Sequence, residues 1–164
     1  AVSPGDADGG GPGDGPRAGD GPPLPRDQLV RDSCLPIPAK QVTGSYSGQW
    51  KGVLKCKGMP QNSISGTLGF TLTPAGSPEA FKVKGSMSGT VFGGLPFAGP
   101  ISGAMGCTAL TAGLPDIKVG SGALIYRLKG TLSGTLGSSG FRNGSWTAKG
   151  EGCTASGSWR ANKL

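Results

Sequence analysis

The chain has 164 residues, of which 33 are glycine and 14 proline, and its formal net charge is +7 at neutral pH. This length suits one ordinary domain. Glycine without a three-residue period excludes collagen, and so much interior glycine excludes long helices. No apolar run approaches the roughly 20 residues that a transmembrane helix needs, so we expect no transmembrane segment.

The first 33 residues have a composition of their own. They contain mainly Gly, Pro and Asp, and six acidic against three basic residues give them a net charge of −3. So few aliphatic side chains cannot offset the roughly 1–2 kcal/mol of backbone entropy that each ordered residue costs. We therefore predict a disordered tether at 1–33 and a single β domain at 34–164. The segment contains no signal-peptide pattern, and an export signal ahead of it is left open.

From Thr43 onward, apolar and polar residues alternate with a period of two, which is typical of half-buried β-strands. Turn signals separate the runs, and we expect turns at Ala112–Pro115 and at Asn143-Gly144. The latter pair also begins a match to a glycosylation acceptor. The predicted strands are Tyr46–Cys56, Ser63–Thr73, Phe81–Val91, Ile101–Cys107, Leu124–Leu136 and two shorter runs centred on Trp146 and Trp159.

Glycine recurs on the apolar parity of these runs. There it weakens a strand unless a bulky neighbour fills the space or the strand bends sharply. Both occur in small closed barrels, whose inward positions alternate between small and large residues. We predict an all-β fold, an antiparallel up-and-down meander of seven or eight strands that closes into a small barrel. A β-sandwich is the alternative.

Two stretches resemble known families. The Gly/Asp/Pro-rich segment ahead of a cysteine-bearing β domain resembles the spacer of secreted bacterial lipoproteins, although the sequence starts at Ala1 without their lipidated cysteine. This resemblance implies tethering to a cell surface. The run Gly44–Trp50 resembles the Gly-x-Trp first strand of small calycin barrels such as lipocalins and avidins. That resemblance implies a small apolar or cyclic ligand in the mouth of the barrel.

Four widely spaced cysteines, without a Cys-x-x-Cys pair and without histidine, indicate disulfides and no metal site. Disulfides imply an oxidising, extracytoplasmic location, which is secreted, periplasmic or tethered at the cell surface. If successive strands alternate in direction, two of the cysteines meet at one end of the sheet, and the other pair follows by elimination. The predicted disulfides are Cys107–Cys153 and Cys34–Cys56.

The residue inventory argues against an enzyme. Without histidine there is no Ser-His-Asp or Cys-His nucleophile, and no phosphate-binding loop or dinucleotide fingerprint occurs. The carboxylates of the body, Glu79, Asp116 and Glu151, are expected in separate turns, not paired across a cleft. A Ser–Lys dyad stays open, but nothing singles one out. We expect no catalytic residue and no cofactor.

The body, residues 34–164, carries a net charge of +10. Such a surface attracts polyanions, so we expect a binding module that contacts an acidic polysaccharide or another envelope partner. Lys57 and Arg160 add to this basic face, whose simplest alternative role is solubility. The predicted polyanion face consists of Lys51, Lys55, Lys82, Lys84, Arg127 and Lys129.

Two further functions stay open. A protease inhibitor is one, and a small-ligand-binding barrel is the other. Base-specific binding of nucleic acid is not expected, because the basic parity lacks the aromatic side chains on which bases stack. The oligomeric state is open. The predicted lining of the ligand cavity is Tyr46, Trp50, Tyr126, Trp146 and Trp159.

Overall fold

The computed structural model describes residues 34–164, except Phe92 and Ala123. The predicted tether at 1–33 lies outside the described residues. Within these described residues, one short helix precedes eight long strands, which are named here in chain order. They are α1 (Ala39–Val42), β1 (Gly44–Cys56), β2 (Asn62–Pro74), β3 (Ala80–Val91), β4 (Leu95–Gly106), β5 (Ala109–Ser121), β6 (Leu124–Gly137), β7 (Gly140–Gly150) and β8 (Cys153–Lys163).

The eight strands form a closed barrel in which each strand is antiparallel to the next. β1 closes the barrel by pairing with β8, with Trp50 opposite Trp159. The predicted all-β meander barrel is therefore confirmed, with eight strands. We call the end of the barrel at which β1 finishes the upper end. The opposite end, which lies next to α1, is the lower end.

Two predicted turns are wrong. Ala112–Pro115 lies within β5, where the pairing with β6 shifts register between Leu114 and Ile117. Asn143-Gly144 lies within β7, beside a register shift between Phe141 and Gly144. An extra residue in one strand breaks the alternation of apolar and polar side chains, so these β-bulges look like turns in the sequence.

The inward parity of all eight strands forms one buried core. At its lower end, Val42 of α1 is buried, and the hydroxyl of Tyr46 donates a hydrogen bond to the Val42 carbonyl oxygen at 2.7 Å. Leu35 and Ile37 pack against the same core. The segment 35–43 therefore covers the lower end of the barrel with apolar side chains.

Inward glycines make room for tryptophan rings. A Cβ atom on Gly89 would lie 2.6 Å from Cζ2 of Trp50, and one on Gly52 would lie 2.8 Å from Cζ2 of Trp146. The Trp50 indole N–H donates to two strand carbonyls, those of Thr67 at 3.0 Å and Ser88 at 3.1 Å. Each ring thus lies against bare backbone that satisfies its single polar group, which explains why these inward positions hold glycine.

The predicted disulfide pairing is wrong. Cys56 at the end of β1 is bonded to Cys153 at the start of β8, and the two residues are direct partners in the sheet. The second disulfide uses Cys34 and Cys107, so no cysteine is a free thiol. The predicted pairing rests on a strand order that omits β5. With β5 present, every later strand runs in the opposite direction, and Cys153 therefore lies at the upper end.

Candidate anion-binding surface

The predicted ligand-cavity residues are mostly core residues. Tyr46, Trp50, Trp146 and Trp159 are each at most 2% exposed, while Tyr126 is half-buried. The four buried rings pack against three phenylalanines, Phe70, Phe97 and Phe141, and Trp50 also packs against Trp146.

Distances between ring centroids show how closely this interior is filled. Trp50 lies 5.0 Å from Phe97 and 5.5 Å from Trp146, and Tyr46 stacks on Phe70 at 5.3 Å. Burial raises the pKa of the Tyr46 phenol above its ordinary value of 10.0. The space between these aromatic side chains is therefore occupied by other rings.

The outer surface has four open grooves of about 510 to 700 Å³, and each is lined by residues of both β1 and β8. Serine, threonine, lysine and arginine make up much of their linings, together with glycine and a few apolar residues. These four grooves therefore lie on the outside of the wall and combine polar with apolar surface.

The six residues of the predicted polyanion face are all exposed, on β1, β3 and β6. β5 intervenes between the β3 and β6 pairs, so these lysines and arginine do not share one face. Lys82 and Lys84 of β3 pair with Thr73 and Thr71 of β2, toward the lower end. The structure brings Lys55 and Lys129 together and places the β3 pair elsewhere.

Lys149 joins Lys55 and Lys129 in a group that we call the lysine cluster. Lys129 of β6 is the direct partner of Lys149 of β7, and Thr154 of β8 lies between Lys149 and Lys55. All three lysines line the largest of these four grooves, of about 700 Å³. Since directly opposed side chains lie about 5 Å apart at Cβ, the like charges of Lys129 and Lys149 repel each other.

The pattern of residues in β7 could have identified Lys149. It falls on the same outward parity as Ser145 and Thr147. What the sequence could not provide was the register of β7 against β6, because this pairing shifts register between Ser133 and Leu136. Only the pairing of β6 with β7 places Lys149 opposite Lys129.

The neighbouring arginine is neutralised, whereas the paired lysines are not. Arg127 forms an ion pair with Asp116 at 3.0 Å, and its backbone N–H donates to the Glu151 carboxylate at 2.8 Å. Within residues 34–164 as described, neither Lys129 nor Lys149 forms an ion pair. An anion in this groove would offset their repulsion.

The lysine cluster is set among small and hydroxyl-bearing residues. Thr131 and Thr147 are direct partners beside Lys129 and Lys149. Gly130, Ala148 and Ala155 form the floor of the groove. Hydroxyl groups both donate and accept hydrogen bonds, so this surface can contact anionic oxygens and sugar hydroxyls alike.

Arg142 and Arg160 lie together farther along the same surface. Both line a groove of about 630 Å³ with Gln49 and Lys51. The Arg160 guanidinium donates to the Gln49 side-chain oxygen at 3.3 Å, and that of Arg142 donates to the Ser139 carbonyl at 3.3 Å. Both arginines are thus held at the surface by neutral partners.

Other chemistry has little support in the described part of the chain. Glu79 lies in the turn before β3, remote in the sheet from Asp116 and Glu151. Cys34 and Cys107 are disulfide-bonded and offer no thiolate to a metal. No described helix has the length and apolar character needed to cross a membrane.

No family model, curated protein or solved structure matches this chain. The function must therefore be inferred from the residues themselves.

Proposed function

We propose that the barrel is an extracytoplasmic, non-enzymatic binding module whose ligands are acidic polysaccharides, bound at the lysine cluster. The observation that carries this proposal is the direct pairing of Lys129 with Lys149 in a groove that also exposes threonine hydroxyls, with no acidic partner for either lysine among residues 34–164 as described. Such a pair costs stability in the free protein. A bound anion recovers that cost.

The proposed location rests on the two disulfides, since disulfides persist in oxidising compartments. Tethering to a bacterial cell surface in the manner of a lipoprotein spacer is part of the same proposal, and it rests on composition alone. A small-ligand-binding barrel has less support, because the aromatic residues that would line its cavity pack ring against ring.

Retention on a heparin column tests the proposal. The double variant Lys129→Gln/Lys149→Gln should elute at clearly lower salt than the wild type. The matched control, Lys82→Gln/Lys84→Gln, removes the same charge from β3 and should elute close to the wild type. Retention should disappear within a few hundred millimolar salt, as the screening length falls to about 5 Å or less.

Two results with these double variants would contradict the proposal. Equal losses in both would show that only the total charge matters, and unchanged retention of the Lys129/Lys149 variant would overturn the site. Thermal unfolding of each variant checks that the barrel is intact.

A further inference from the structure

We infer, on the basis of the proposed function, that the ligand is one linear acidic chain lying along β8, from the lysine cluster past Lys51 to Arg142 and Arg160. We call this path the basic track. It consists of Lys55, Lys129, Lys149, Lys51, Arg142 and Arg160.

The grooves along this path are continuous. The groove of the lysine cluster shares Ser156 with the next groove, which in turn shares Lys51 and Ser158 with the one that holds the arginines. The last groove again contains Arg142 and Arg160. The concavities therefore follow one another along β8 on the outer surface of the wall, and we call this succession of grooves the channel.

The strand register sets the spacing of the charges. Lys55 and Lys149 both lie opposite Thr154, and Lys51 lies opposite Ser158. With a rise of about 3.4 Å per residue, Ser158 is about 14 Å and Arg160 about 20 Å from Thr154 along β8. Three levels of positive charge therefore follow one line, which suits a chain with repeated anionic groups better than a compact anion.

The lining indicates which type of chain fits. Serine and threonine hydroxyls separate the charges, and none of the three acidic residues of the body lines these grooves. The two indoles that touch the channel, Trp50 and Trp159, are each 2% exposed. Because no exposed ring offers a stacking platform there, neutral sugars and nucleobases gain little, whereas anionic sugars gain charge-assisted hydrogen bonds.

The arginine end adds geometric selectivity. A guanidinium group can donate two parallel hydrogen bonds to a sulfate or carboxylate, which an ammonium group cannot do. Gln49 holds Arg160 beside Arg142. Both ends of a bound chain would thus be fixed, and the second contact would form at a high effective concentration once the first has formed.

Size-defined heparin oligosaccharides test this inference by calorimetry at low salt. Affinity should rise with chain length until the chain spans about 20 Å, and should then level off. For spanning chains, Lys129→Gln/Lys149→Gln and Arg142→Gln/Arg160→Gln should each lose at least tenfold in affinity. The control, Lys82→Gln/Lys84→Gln, should lose less than twofold.

The outcomes separate the two proposals. If the arginine variant keeps wild-type affinity for long chains while the lysine variant loses it, the track is wrong and the proposed function stands. If neither variant loses more than the control, both are wrong. Tighter binding of a single-stranded oligonucleotide of equal charge would overturn the assignment to polysaccharide.

Discussion

The inner and outer sides of the barrel wall are built from alternate residues of the same strands, yet they differ in how large a side chain they can accept in place of glycine. A Cβ atom on the inward Gly66 would lie 2.0 Å from the Ser88 carbonyl oxygen, whereas one on the outward Gly69 would lie 3.5 Å from that of Tyr46. The inner side is specified by shape. The outer side is free to carry function.

The largest expected effect tests this contrast directly within β2. Gly66→Val should prevent folding or cost more than about 4 kcal/mol, because the contacted backbone of β3 cannot move aside. Gly69→Val should be neutral or slightly stabilising, since β-branched residues favour strands. Denaturant unfolding of both variants measures the difference, and similar losses in the two would refute the contrast.

Loss of the buried Cys56–Cys153 disulfide should have the next largest effect. The bond closes a loop with a sequence separation of 97 residues, so Cys56→Ala with Cys153→Ala should cost roughly 4–5 kcal/mol in the chain-entropy model. Urea unfolding measures this cost. A double variant as stable as the wild type would show that strand pairing alone closes the barrel.

The buried phenol of Tyr46 should make the inner side sensitive to alkaline pH. Burial raises its pKa in the folded state, so the unfolded chain releases this proton first, near pH 10. The stabilisation that the protonated Tyr46 phenol contributes is therefore fully present below about pH 10, and it is lost as the pH rises through the folded-state pKa.

The variant Tyr46→Phe isolates this effect from that of the lysines. It should lose about 1 kcal/mol at neutral pH with the hydrogen bond to Val42, and its stability should fall less steeply above pH 10 than that of the wild type. Equal slopes in thermal unfolding between pH 9 and 11 would contradict the assignment.

The smallest expected effect lies on the outer side. Lys149→Thr removes one of two opposed charges, and we expect a gain of at most about 0.5 kcal/mol at low salt. The gain should vanish in 0.5 M salt, where exposed charges are screened. Lys84→Thr on β3 is the matched control and should change little. A loss of stability in Lys149→Thr would indicate a packing role for that side chain.

The sequence predicted most strands of the barrel correctly, but it did not predict every turn or the disulfide pairs. Alternation identified seven of the eight strands, because inward and outward side chains meet different surroundings at every step. β5 was missed because Pro115 and Asp116 interrupt its pattern at a bulge. That one omission also explains the wrong disulfide pairs, since strand direction decides which cysteines meet.

The sequence identified outward basic residues but not their arrangement on the surface. Lys55 and Lys129 were identified as outward residues, and the structure adds Lys149 between them. Local periodicity tells which side of the wall a lysine occupies. It cannot tell which lysine of the neighbouring strand lies opposite, because this depends on the register of the two strands, which a bulge can shift.

The pairing of β1 with β8 has a consequence for how the barrel folds. The seven other pairings join strands consecutive in sequence, whereas this one brings together residues about a hundred positions apart. Non-local contacts slow folding, because the entropy of loop closure is lost before the contacts form. With the Cys56–Cys153 bond intact, the end of β1 and the start of β8 are already joined in the denatured chain. The slowest contact then becomes a local one, and oxidised chains should refold faster than reduced ones.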